Sequence, residues 1–269
     1  MKGLRMVLTP FAPDQSGAVS VLYEMGGLIV ILDAGGCTGN ICGFDEPRWQ
    51  IQKSKIMSAA LRDMDAILGR DKLLVEKVVK AATILKPEFI ALIGTPIPAV
   101  IGTDMKGLSR LIKKELNDEC QVFGIPTFGM KYYDEGAKDA YVALVKNFVF
   151  QDEENQMDDN LNYQSGEKKY IGIFGAIPLD LNKTTSDSLK EYIAKLENVD
   201  KSCVYSFGLG DGIDALKNVL LCKKNYVVSR CGIMAAKLLK EKFDIEYEMF
   251  NPMVFDYEDK IQKILKNGE

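Results

Sequence analysis

Apolar runs of strand length alternate with helical patterns from one end of the chain to the other. Residues 27–33, Gly-Leu-Ile-Val-Ile-Leu-Asp, form an unbroken apolar run closed by Ala34-Gly35-Gly36, which predicts a strand buried on both faces. A helix is predicted over 72–85, where Leu74, Val75, Val78, Val79 and Ala82 share one face, followed by a strand over 87–93. Residues 103–116 repeat the helical spacing with Leu108, Leu111, Ile112 and Leu116; a strand over 121–125 and a helix over 134–150 follow. Strand and helix alternating with short loops predicts right-handed crossovers and a parallel sheet covered on both faces.

The stretch 151–168 interrupts this rhythm. Its first ten residues, QDEENQMDDN, contain five acids and no base, the composition of a solvated linker. The alternation then resumes: strands over 170–174, 202–207, 225–229 and 245–249, and helices over 185–196, 211–221, 232–243 and 257–265. The expected organisation is two Rossmann-like, doubly wound α/β units, residues 1–150 and 169–269, joined by the acidic linker 151–168. No repeat between the two units is visible in the sequence.

Composition narrows the chemistry. A chain of 269 residues with 47% hydrophobic and 27% charged residues has the mix of a soluble globular protein. Its net charge of −4 argues against a nucleic-acid partner. Residues 1–10 lack a continuous apolar run, and the apolar stretch 26–32 is too short to cross a bilayer, so neither a secretory signal nor a membrane anchor is expected. Histidine is absent altogether, which removes Ser-His-Asp and Cys-His hydrolysis, His-ligated zinc and His-ligated haem. The six cysteines do not form the spacing of a secreted disulfide framework; reduced thiols in the cytoplasm are the expectation.

In open parallel sheets ligands collect beyond the carboxyl ends of strands. Three glycine-bearing loops are expected there. The first, residues 35–43, holds Gly35, Gly36, Gly39 and Gly43 with Cys37 and Cys42, so the backbone can approach a ligand closely and two soft thiolates are at hand for zinc or an iron–sulfur cluster. Two thiols do not complete the usual set of about four cluster ligands, and a homodimer would supply two plus two. A tight structural loop with buried cysteines is the competing reading. The second, residues 93–104, contains Thr95 and two prolines and leads into a helix with Thr103 as the expected cap. The third, Gly208-Leu209-Gly210-Asp211-Gly212, has the wrong spacing for a dinucleotide fingerprint and reads as an ordinary loop with Asp211 as helix cap. Cys231 lies between a strand and a helix, where a packed small residue is the expectation and a thiol made reactive or metal-binding by the helix dipole is the alternative. Cys120, Cys203 and Cys222 are expected to be buried, and Trp49 to pack at a helix start.

These segments, in this order, resemble the nitrogenase component 1 type oxidoreductases, the MoFe-protein-like family that includes dark-operative protochlorophyllide reductase. Leu32-Asp33-Ala34-Gly35-Gly36-Cys37 resembles that family's strand and Gly-Cys loop at a bridging cluster. Residues 58–69 resemble its segment before a Lys-Leu helix. Ile93-Gly94-Thr95-Pro96 with Ile101-Gly102-Thr103-Asp104 resembles its Cys-Pro turn, and residues 235–245 its helix and following strand. The resemblance implies a redox subunit with an iron–sulfur cluster, [4Fe–4S], shared between the two subunits of a homodimer and fed electrons by an ATP-dependent iron–sulfur reductase partner. On this reading Cys37 and Cys42 are the metal ligands, and Gly36, Gly39, Thr95 and Cys231 contact a cofactor. Four departures accompany it. Thr95 stands where the family has a cysteine, and no thiol lies near residues 10–16. Cys42 is additional, and Cys231 is about one helical turn out of register with the family's cofactor cysteine. The length accommodates two units where the family has three. The alternative is a small-molecule or metallocofactor carrier of the same fold.

Overall fold

The computed structural model describes residues 11–69, 71–150, 168–181 and 186–250. The expected linker, residues 151–167 of it, and the expected helix 257–265 lie outside the described residues.

Two four-stranded, all-parallel sheets form the frame. In the first, β1 (Leu28–Ile31) lies between β2 (Ile56–Ser58) and β3 (Phe89–Ile93), and β4 (Gln121–Ile125) pairs with β3, giving the order β2-β1-β3-β4. Its register places Ile29 opposite Ile56, Leu28 opposite Ile90 and Phe89 opposite Gln121. The second sheet has the order β6-β5-β7-β8, from β5 (Tyr170–Phe174), β6 (Val204–Ser206), β7 (Cys222–Val227) and β8 (Glu246–Met249). The two sheets therefore repeat each other in topology, although the sequence shows no repeat. β1 and β3 are buried along their whole length, as strands covered by helices on both faces must be.

Helix α1 (Asp14–Leu22) is new relative to the sequence expectation. Every one of its residues is buried, so it carries no apolar stripe against a polar face and leaves no helical period to detect. It packs against α7 (Tyr133–Val145), with Gly17 beneath the Tyr133 carbonyl and Gly136 beneath the Asp14 carbonyl. A Cβ on either glycine would lie 1.8 Å from the facing oxygen, so only glycine permits this approach. One hydrophobic cluster runs through the pair and joins the sheets: Ile29, Ile31 and Phe89 from the first, Phe174, Phe207 and Val227 from the second. Across this junction the Tyr133 hydroxyl donates to Asp180 Oδ1 at 2.5 Å.

Between β1 and β2 lies α2 (Gly36–Asn40), continued by a π-helical turn over Ile41–Asp45. Helices α3 (Asp63–Leu68) and α4 (Asp71–Leu85) lead to β3, and α5 (Pro96–Ile101) and α6 (Met105–Glu115) to β4. Two expected caps differ. Asp104, not Thr103, caps α6 by accepting from the Gly107 amide at 2.9 Å. Asp211 accepts from the Ser206 amide at 2.6 Å and pairs with Lys190 at 2.5 Å, which closes its loop and leaves Gly212 at the cap of the next helix. Among the described residues no helix is long and apolar enough to cross a membrane.

Candidate functional site

The order β2-β1-β3-β4 makes the gap between β1 and β3 a topological switch point, and the glycine-rich loop with Cys37 leaves β1 there. Gly35 takes φ +113°, a conformation open to glycine alone, and turns the chain into α2. The loop is fastened at both ends. At its start the buried Asp33 carboxylate accepts from the Thr38 amide at 2.8 Å, the Thr38 hydroxyl at 3.0 Å and the Ser58 hydroxyl at 2.5 Å. At its end Asp45 accepts from the Ser16 hydroxyl at 2.6 Å and the Asn40 side-chain amide at 2.7 Å. Beyond it the buried Glu46 pairs with Arg48 at 2.8 Å.

Cys37 and Cys42 sit half-buried on α2 and on the π turn. Burial pushes both thiols up, with the Asp33 carboxylate adding to the effect at Cys37 and the Glu46 carboxylate at Cys42. Both therefore hold their protons at neutral pH, and a metal binding there must displace them. A Cβ added to Gly36, Gly39 or Gly43 would meet nothing within 4 Å, so open space lies over the loop where packing does not require glycine. Phe11, Phe44, Val100, Met130 and Tyr132, carried by Phe44's own turn and the neighbouring segments at this carboxyl edge, are exposed.

Gly36, Cys37 and Gly39 lie on α2 and Cys42 on the π-helical turn that continues it, so the expected loop is largely helical. Thr95 reaches the same edge, but it is fully buried and its hydroxyl donates to the Leu32 carbonyl at 2.7 Å, joining the end of β1 to the turn after β3. Cys231 lies on the turn after β7 and is the packed small residue rather than a reactive thiol. It is 1% exposed, its sulfur lies 3.1 Å from the Ser229 hydroxyl, and burial raises its pKa strongly. Cys222 is buried as expected, whereas Cys120 and Cys203 are half-buried. Sequence reasoning missed Asp33 and Arg48 as site residues. An acid ending an apolar run directly before a glycine turn was the available signal for Asp33; Arg48 offered none.

Among the described residues no three Cys, Asp or Glu side chains converge on a metal-sized site. The two thiols of this segment would offer two of the about four donors a cluster uses.

A family model described as nitrogenase component 1 type oxidoreductase matches residues 14–265. Among solved structures, "Nitrogenase Cp1 at pH 6.5" is similar with a TM-score of 0.69 and 14% identity, over 93% of this chain and 47% of its own. "Nitrogenase Cp1 at pH 5" is similar with a TM-score of 0.66 and 15% identity, over 93% of this chain and 49% of its own. The chain spans about half the length of these structures. No curated protein matches it.

Proposed function

Because the chain belongs to the nitrogenase component 1 type oxidoreductases, we propose that it is a cytoplasmic redox subunit that holds an iron–sulfur cluster, [4Fe–4S], on Cys37 and Cys42 in a homodimer. The proposed electron donor is an ATP-dependent iron–sulfur reductase. The observation that supports this most is the thiol loop itself: two half-buried thiols at the switch point, fastened at both ends, with open space above the glycines. When bound, the cluster would supply low-potential one-electron transfer.

The residues of the chain have separate tasks in this reading. Cys37 and Cys42 give up their protons as they bind. Asp33 fixes α2 through Thr38 and fixes β2 through Ser58, so the loop is ordered before any metal arrives. Gly36 and Gly39 leave room for the group and for the facing subunit. Exposed Phe11, Phe44, Val100, Met130 and Tyr132 would seal the edge against water when a second copy covers it. Two copies meeting about a two-fold axis bring four thiols together.

Anaerobic reconstitution with iron and sulfide, followed by iron analysis, EPR and sedimentation, tests the proposal. Wild-type protein should bind iron as a dimer, and Cys37→Ser or Cys42→Ser should lose iron and weaken the dimer together, because ligand binding to the assembled state stabilises it. A monomer that stays iron-free refutes the cluster. The carrier reading then leads, favoured by Thr95, which stands where the resemblance has a cysteine and is buried with its hydroxyl on the Leu32 carbonyl.

A further inference from the structure

The two ends of the thiol loop are referenced to different parts of the molecule. The Cys37 end is held by Asp33, Thr38 and Ser58, all from the first sheet and its loops. The Cys42 end is held by Asp45, which accepts from Ser16 of α1, and through Arg48. The Glu46 amide donates to the Ile41 carbonyl at 2.9 Å, tying Glu46 to the π turn that carries Cys42. The Glu46 carboxylate takes Arg48 as a fork, with Nε on Oε1 and Nη2 on Oε2, each at 2.8 Å. Arg48 Nη2 also donates to the Ser20 carbonyl of α1 at 2.5 Å, and the guanidinium lies 4.6 Å from the centre of the Tyr23 ring.

Its remaining reach is into the second unit. Arg48 Nη1 donates to the Gly208 carbonyl at 3.0 Å and lies 3.4 Å from Glu24 Oε2, which itself accepts from the Gly210 amide at 2.5 Å. This accounts for the glycines of the Gly208–Gly212 stretch without a phosphate. Gly208 and Gly210 take φ +89° and +93°, and a Cβ on Gly208 would lie 2.9 Å from the Tyr141 hydroxyl. The loop is shaped to press its backbone against the first unit and to receive Arg48 and Glu24.

We propose that Arg48 is a positioning residue for Cys42: through Glu46 it sets the Cys42 end of the thiol loop from the second unit's glycine loop, while Cys37 is set by the first sheet alone. A shift between the units then moves one thiol donor relative to the other. This deepens the cluster reading and rests on it for its functional meaning, but its test needs no iron.

The experiment is site-resolved alkylation of native, iron-free protein with iodoacetamide, read by peptide mass spectrometry. Arg48→Ala should raise the Cys42 rate about tenfold, the factor expected when a local opening loses one strong anchor, while Cys37 stays within about twofold. Arg48→Lys, which keeps the charge but not the fork, should fall between Arg48→Ala and wild type. Glu24→Gln is the milder variant and decides the matter if Arg48→Ala does not fold; it should raise Cys42 labelling about threefold and leave Cys37 unchanged. Unchanged Cys42 labelling in a folded variant overturns the proposal. So does an equal rise at Cys37, Cys42 and Cys120, which would mark general loosening. Iron binding by the wild type is a separate measurement, so failure here and failure of the cluster reading are told apart.

Discussion

Gly136→Ala offers the sharpest test of how the fold supports the site. In most helices this change is favourable by up to about 1 kcal/mol, because alanine has the higher propensity and restricts the unfolded chain. Here the new Cβ would stand 1.8 Å from the Asp14 carbonyl oxygen, and α1 and α7 must separate by 1.2 Å to restore even a 3.0 Å contact. The obstruction is backbone against backbone, so no rotamer relieves it. Overpacking costs about 1–3 kcal/mol, and a rigid clash belongs at the upper end; the net loss is then about 2 kcal/mol. For a chain of this size that corresponds to a fall of about 4–8 °C in the unfolding midpoint. Displacing α1 also moves Ser16 and Ser20, which hold Asp45 and Arg48, so Cys42 should become more reactive in the same variant. The assay is a thermal melt beside Gly39→Ala, whose Cβ meets open space and which should match or exceed wild type by up to about 1 kcal/mol. A Gly136→Ala midpoint at or above wild type would refute the argument.

Two further outcomes follow from the hydrogen bonds and from burial. Asp33→Ala, which leaves the Thr38 and Ser58 donors without their acceptor, should lower stability by about 2–3 kcal/mol in urea, whereas Asp33→Asn, which keeps an acceptor oxygen, should lose about 1 kcal/mol; equal losses would contradict the anchoring role. Burial pushes the Cys222 thiol up to about 12. The folded state therefore keeps this proton after the unfolded chain has lost it, so stability falls as pH rises above the ordinary thiol value of about 8.5, by about 1.4 kcal/mol per pH unit. Cys222→Ala should flatten the alkaline limb of a urea-midpoint profile by that slope, and an unaltered limb would show that Cys222 does not set it.

What the sequence revealed, and what it concealed, follows the distance between interacting residues. β4 and β5 match their expected bounds because apolar runs are local signals. The place of the Cys37 loop was legible for the same reason, as a glycine turn directly after such a run. The anchors were not. Asp33 meets Ser58 across 25 positions and Arg48 meets Gly208 across 160, and no local pattern encodes either pairing. α1 stayed hidden because its polar residues are buried for specific partners: Asp14 accepts from the Phe128 and Gly129 amides, and Ser16 donates to Asp45. The place of Cys231 before a helix left a packed and a reactive reading open, and tertiary packing decides between them. The turn at Gly175, with φ +85°, brings that residue's carbonyl and Ser229 over the sulfur.

The all-buried helix α1 also constrains the order of events on the ribosome. It is made before its partners: α7 emerges more than a hundred residues later and the Gly208 seat of Arg48 roughly 190 residues after Asp14. At translation speeds of about 5–20 residues per second, α1 waits on the order of ten seconds or more for the helix it packs against most closely. Its nine residues are too few to hold a helix alone in water. The nascent first unit thus lacks both the helix that anchors Asp45 and the loop that fixes Arg48. The thiol loop reaches its final shape only after the second unit has been synthesised. On the proposed reading metal loading at that segment comes after translation, and a truncated chain ending before Gly208 would carry Cys37 and Cys42 without the seat of Arg48.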